Sequence, residues 1–217
     1  MKAATRRWRP WTALALSCGV VVSPLSSRAG PTDATPSRAM CDPDLSAVDT
    51  AIKSRNAGQA DQAKAILGTV LKNHPNNFRA NYVMATVLIQ EGGAQGRSNG
   101  LNLLVQTEKQ LHQQPVGCIK LFGWYSIYNT LGVQYYKIGN RAKALSYFAE
   151  GYTHLDDMVS STKKQITANL GLYYFTDGDL KTAKKYYEEA ARFGDTKAAA
   201  HVTAITSVES SAKEALR

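Results

Sequence analysis

The 217-residue chain has almost no strand signal. Its apolar residues recur at helical spacing in every long segment, which excludes a β-sandwich or barrel and predicts an all-α fold. It also lacks the usual marks of catalysis. The four histidines, His74, His112, His154 and His201, form no close pair. No His-x-x-x-His and no Cys-x-x-Cys occurs, so no metal site is expected. No Gly-x-Ser-x-Gly elbow is present. Asp156-Asp157 and Glu188-Glu189 are adjacent carboxylates, but neighbours on a helix point in different directions and face water. No enzyme class and no cofactor is implied.

Basic charge is scarcer than the formal +9 suggests. Five of the 26 basic residues, Lys2, Arg6, Arg7, Arg9 and Arg28, lie in residues 1–29 beside no acid. That leaves 21 basic and 17 acidic residues, a net of +4, which is ordinary solubility and no nucleic-acid footprint. Lys163-Lys164 and Lys184-Lys185 lack the aromatic interleaving of a nucleic-acid groove and read as solvated faces. Long apolar runs are missing too. The longest, Trp11 to Val22, falls short of the about 20 residues a membrane span needs.

That run sits inside a basic start and ahead of Ser27-Arg28-Ala29, so residues 1–29 read as a secretory signal peptide. Three rival readings stay open. Thr5-Arg6-Arg7 approaches a twin-arginine export motif, with Arg9 where an apolar residue belongs. Cys18 after Ala-Leu-Ser is a candidate lipoprotein cysteine. An arginine-rich, acid-free start also fits a mitochondrial transit peptide. Export predicts a periplasmic or secreted protein. Residues 30–43, with few apolar side chains, read as a disordered tether.

What the chain does have is a pattern written twice between Tyr125 and Lys197. The first copy runs Tyr128, Leu131-Gly132, Tyr135, Gly139, Ala144, Phe148, Gly151; the second runs Thr167, Leu170-Gly171, Tyr174, Gly178, Ala183, Tyr187, Ala190. Leucine and the aromatic four residues on share one helical face. Glycine at the next step suits a helix end, and Asn140 and Asp179 behind it are good N-caps. The spacing resembles the tetratricopeptide repeat (TPR), two antiparallel helices in about 34 residues. The two leucines lie 39 residues apart in the sequence, so residues are inserted near Leu155 to Ser161. Thr167 replaces the first aromatic of the pattern.

Two degenerate copies precede these. Residues 44–77 keep Gly58, Ala63, Leu67 and Pro75; residues 78–114 carry Met84-Ala85, Leu88 and Gly92. In the second copy, Glu91 to Gly100 is a near miss for a phosphate-binding loop, with Arg97 in place of lysine. It reads as a flexible inter-helix turn. Pro115 to Trp124 is strongly apolar and is expected to extend the next helix backward. The resemblance implies a right-handed superhelix of about four repeats (44–77, 78–114, 125–158, 164–197). A capping helix over 198–217 follows, apolar at Ala199, Val202, Ile205 and Val208.

If the chain is exported, Cys41 and Cys118 remain as a pair that an oxidising compartment would join; a reducing one would leave two thiols. In the TPR family the first helices line a concave groove for a peptide or partner helix. By resemblance that lining is Tyr82, Thr86 and Ile89, then Asn129, Val133 and Tyr136, then Ala168, Asn169, Leu172 and Phe175. The lysine–asparagine carboxylate clamp of some relatives is not expected, because Val48, Ile52 and Val133 stand at its positions. The expected partner is another protein, unidentified, with no nucleic acid and no membrane span in the mature chain. The expected function is a non-enzymatic adaptor of the cell envelope. The alternatives are a lipid-anchored subunit of an envelope machine, held through Cys18, and an enzyme acting through carboxylates of the inserted segments.

Overall fold

Helix boundaries fall where the sequence supplies caps. The side chains of Asn77, Asn140 and Asp179 accept from the backbone N–H groups of Ala80, Lys143 and Thr182, each satisfying one orphan donor of a helix start. Behind the preceding helices, Gly139 and Gly178 turn at φ +79° and +85°.

A computed structural model describes residues 35–215; the expected signal peptide 1–29, Cys18, residues 30–34 and residues 216–217 lie outside them. Among the described residues there are eleven α-helices and no strand. They are α1 (Arg38–Cys41), α2 (Leu45–Asn56), α3 (Ala60–Asn73), α4 (Phe78–Glu91), α5 (Gly93–Leu111) and α6 (Val116–Phe122). Then follow α7 (Ser126–Lys137), α8 (Arg141–Thr153), α9 (Ser160–Thr176), α10 (Leu180–Arg192) and α11 (Thr196–Ala215). A short 3-10 turn, Leu155–Asp157, joins α8 to α9.

Four hairpins stack: α2 on α3, α4 on α5, α7 on α8 and α9 on α10. Small residues sit where paired helices cross. Ala51, Ala63, Ala85, Ala144 and Ala183 are fully buried. In the third hairpin Gly132 admits the ring of Phe148, and in the fourth Gly171 admits Tyr187. Leu67, Leu104, Leu131, Ile166 and Leu170 fill the space between hairpins; each such side chain contributes about 1.5–3 kcal/mol on burial. The core therefore runs along the stack, each hairpin burying what its neighbour exposes. This is an all-α right-handed superhelical solenoid.

Four expectations are corrected. Glu91 to Gly100 is not a flexible turn. The chain reverses at Gly92 and Gly93, φ +79° and +65°, and α5 runs from Gly93. Gly96 and Gly100 are there because α5 presses on α4: a Cβ on them would lie 2.8 Å from Leu88 O and 2.7 Å from Ala85 O. Pro115 to Trp124 does not extend α7. It forms the separate α6, ended by the left-handed Gly123. Cys118, Ile119 and Trp124 are buried, but Leu121 is exposed.

The tether expected over 30–43 is ordered in its described part. Pro36 packs against Gly117, α1 forms a turn capped by Ser37, and α1 rests on α6. In α11 the buried residues are Ala198 and Ile205, with Val202 half-buried, whereas Ala199 and Val208 face solvent. The helix packs on α10 through Val202 and Ile205 of the expected stripe, with Ala198 in place of Ala199.

Candidate protein-binding groove

The first helices of the hairpins, α2, α4, α7 and α9, stand side by side, and polar side chains tie neighbours together. Arg55 of α2 donates from Nη1 to Thr86 Oγ1 of α4 at 2.9 Å. Tyr82 Oη of α4 and Thr130 Oγ1 of α7 share a hydrogen bond at 2.8 Å. Asn169 Nδ2 of α9 donates to Asn129 Oδ1 of α7 at 2.8 Å, and Asn129 Nδ2 donates to Gln165 Oε1 at 3.2 Å. Tyr136 Oη and Thr176 Oγ1 meet at 3.2 Å. Each pair joins consecutive first helices, so these bonds set the spacing of the row. All but the exposed Tyr136–Thr176 bond are partly desolvated, and those are worth about 1 kcal/mol apiece.

The structure spreads the expected lining residues along this row. Tyr82, Thr86, Ile89, Val133, Tyr136, Ala168 and Asn169 are half-buried. Leu172 and Phe175 are each 40% exposed, large apolar side chains on the surface. The two asparagines expected to meet a peptide backbone are spent largely on each other: Asn129 is buried and bonded on both sides. Tyr136 is shared as well, since the Arg141 guanidinium lies 5.6 Å from its ring and also reaches Asp177. Phe175 leans toward Tyr187 and His201.

The repeat pattern missed several residues of this face. Arg55 lies one turn beyond Ile52 of α2 and was legible from helical spacing alone. Thr130, Gln165 and Thr176 were legible the same way. Arg38 of α1 and Phe122 of α6 belong to no repeat position and gave no signal.

Two hollows flank the row, one between the second and third hairpins and one where α1, α2, α4 and α6 meet. One, of about 780 Å³, is lined by Ile89, Gln90, Arg97, Leu101, Gln134 and Lys137, among others. The other, of about 280 Å³, is lined chiefly by Arg38, Arg55, Arg79, Tyr82, Phe122 and Trp124. On α1 and α6, Cys41 and Cys118 lie at bonding distance, Cα atoms 5.4 Å apart.

The titrating groups are those of a scaffold. Burial first, then nearby carboxylates and tyrosines, pushes up Tyr128, Tyr147, Tyr152, Tyr186 and Tyr187, the third and fifth of these to about 12. Such phenols stay protonated at neutral pH and are poor general bases. Among the described residues no cluster of three or more His, Cys, Asp or Glu is placed to hold a metal ion. No described helix is long and apolar enough to cross a membrane.

This architecture defines a helical-hairpin solenoid. A sequence model described as tetratricopeptide repeat matches residues 52–77, from the middle of α2 to the cap of α4. Among solved structures, one from a functional characterisation of Pseudomonas aeruginosa PilF is similar, with a TM-score of 0.62 and 16% identity, covering 80% of this chain and 71% of that one. A crystal structure of MamA is similar, with a TM-score of 0.54 and 18% identity, covering 76% and 88%. No curated protein matches the sequence. Repeat and fold agree: residues 52–77 match the tetratricopeptide repeat, and the chain shares the helical-hairpin fold of these structures.

Proposed function

We propose that this protein is a non-enzymatic adaptor of the cell envelope that holds a peptide or helix of another protein along the row formed by α4, α7 and α9. The observation that carries this is the continuous strip from Tyr82 to Phe175, apolar and partly exposed, on helices locked in register by hydrogen bonds. A rigid, preformed apolar strip loses little entropy on binding and offers aromatic anchors of the kind that dominate protein interfaces. The envelope location rests on the reading of residues 1–29 as a signal peptide. It agrees with a Cys41–Cys118 disulfide, which an oxidising compartment would maintain.

A photo-crosslinking residue at Tyr136 or Phe175 should trap a defined protein adduct in intact cells. The same residue at Lys185, exposed on α10, should not. Adducts equal at all three positions would remove the groove from the account. The second reading, a lipid-anchored envelope subunit, rests on Cys18. Mass spectrometry of the mature N-terminus separates the two: cleavage after Ala29 leaves no lipid anchor.

A further inference from the structure

We propose that the smaller hollow, walled by α1, α2, α4 and α6, is an anion pocket that receives a carboxylate of the peptide bound in the groove. The inference deepens the groove reading and rests on it. Three guanidiniums, those of Arg38, Arg55 and Arg79, line the hollow, and no acidic side chain does. Arg79 is already neutralised, held by Asp42 and Asp49. The other two are not. Arg55 donates to Thr86 and Asn56, both neutral acceptors. Arg38 lies 4.8 Å over the ring of Phe122. Among the described residues neither pairs with a carboxylate. Trp124, on the same wall, is 95% buried, and its indole N–H is buried without an acceptor.

Guanidiniums with no carboxylate partner favour an acceptor-rich, negatively charged ligand. A planar guanidinium binds a carboxylate through two parallel hydrogen bonds, a stronger and more directional contact than a lysine offers. The volume decides the size of the guest. About 280 Å³ lies at or below the lower end of small-molecule sites, enough for one acidic side chain or a chain terminus. Ile52, Val83 and Leu121 supply apolar wall for its methylene stem. Tyr82 belongs both to this wall and to the groove, so a peptide lying on α4 reaches the hollow without a detour. This pocket is unlike the lysine–asparagine clamp, because it draws on α1 and α6, which lie outside the repeats.

Fluorescence anisotropy with the full chain tests it. The probe is a labelled, C-terminally amidated peptide alternating Leu and Glu; its controls are the Leu/Gln amide and the Leu/Gln peptide with a free terminus. The Glu peptide should bind at least about tenfold more tightly than the Gln amide. The Arg38→Ala/Arg55→Ala double variant should lose that advantage while keeping its helical circular dichroism. Arg55→Lys should recover only part of it. If the free-terminus Gln peptide binds as well as the Glu peptide, and the double variant abolishes this, the guest is a terminal carboxylate and the pocket stands. Equal binding of Glu and Gln amides, or of wild type and double variant, overturns the pocket. Equal competition by inorganic phosphate also overturns it, as a site for any small anion. Peptide binding that falls in Tyr136→Ala but not in the double variant sinks the pocket and spares the groove.

Discussion

Gly132 faces the ring of Phe148 so closely that a Cβ on Gly132 would lie 2.5 Å from Phe148 Cδ1. The two residues close the third hairpin, and neither can grow. Phe148 is held at 2% exposure and has no free volume to retreat into. Gly132→Ala should therefore cost about 1–3 kcal/mol through overpacking. Gly68 is the internal contrast. It is exposed, mid-helix in α3, with nothing within 4 Å of a built Cβ. There alanine should stabilise by about 0.5–1 kcal/mol, because glycine loses more backbone freedom on folding. Urea unfolding of both variants gives the two signs. A shared sign would refute the packing account of the glycine.

The hairpin glycine was legible because its partner lies sixteen residues away in the same repeat and the spacing repeats in the next unit. The same logic exposed Asn140 and Asp179 as caps. Where contacts are long-range, the reading failed. Four glycines between Gly92 and Gly100 looked like loop residues. Gly96 and Gly100 are helical because α4 supports α5 from outside, overriding intrinsic propensity. The small hollow was invisible for a related reason. Arg38 and Phe122 come together only because α1 docks on α6, and no periodicity encodes that. The residues expected to line the groove lie on the first helices, but their mutual hydrogen bonds, above all Asn129 with Asn169, follow from the stacking offset and not from any local pattern.

A Cys41–Cys118 bond would close a loop of 77 residues and pin α1 to α6. In the chain-entropy picture a loop of that length is worth roughly 4 to 5 kcal/mol. Protein purified from an oxidising compartment should contain no thiol at these positions, by mass spectrometry after alkylation. Cys41→Ser/Cys118→Ser should lower the urea midpoint by an amount of that order. The added protease sensitivity should fall near α1, the short helix that rests on α6. Unchanged stability would mean that the two sulfurs are thiols in the native protein.

Two tyrosine hydroxyls should give opposite signs. Tyr187 is 2% exposed and its Oη has no hydrogen-bond partner, so its polar atom was desolvated without return. Tyr187→Phe keeps the ring against Phe175 and His201 and should stabilise by about 1 kcal/mol. Tyr152 Oη donates to Glu189 Oε2 at 2.9 Å across the third and fourth hairpins. Tyr152→Phe should cost about 1 kcal/mol. Thermal melts of the two variants side by side decide it; destabilisation by Tyr187→Phe would reveal an acceptor for its hydroxyl.

Alkaline pH attacks the same tyrosines. Burial raises Tyr152 and Tyr187 to about 12 and lifts Tyr128, Tyr147 and Tyr186 above their ordinary value. An unfolded tyrosine releases its proton at about pH 10. Between that value and the folded one, the native state holds protons that the unfolded chain has given up, so stability falls as pH rises. Below pH about 10 both states are protonated and the tyrosine contribution is constant. The urea midpoint should therefore hold steady on the tyrosines' account up to that point and drop above it. Tyrosinate absorbance should rise in two stages, exposed phenols first, and the buried ones together with loss of helical ellipticity. If all eleven tyrosines of the chain ionise in a single early stage while the helices persist, the aromatic interior is not closed to solvent, and the stacked core described above is wrong.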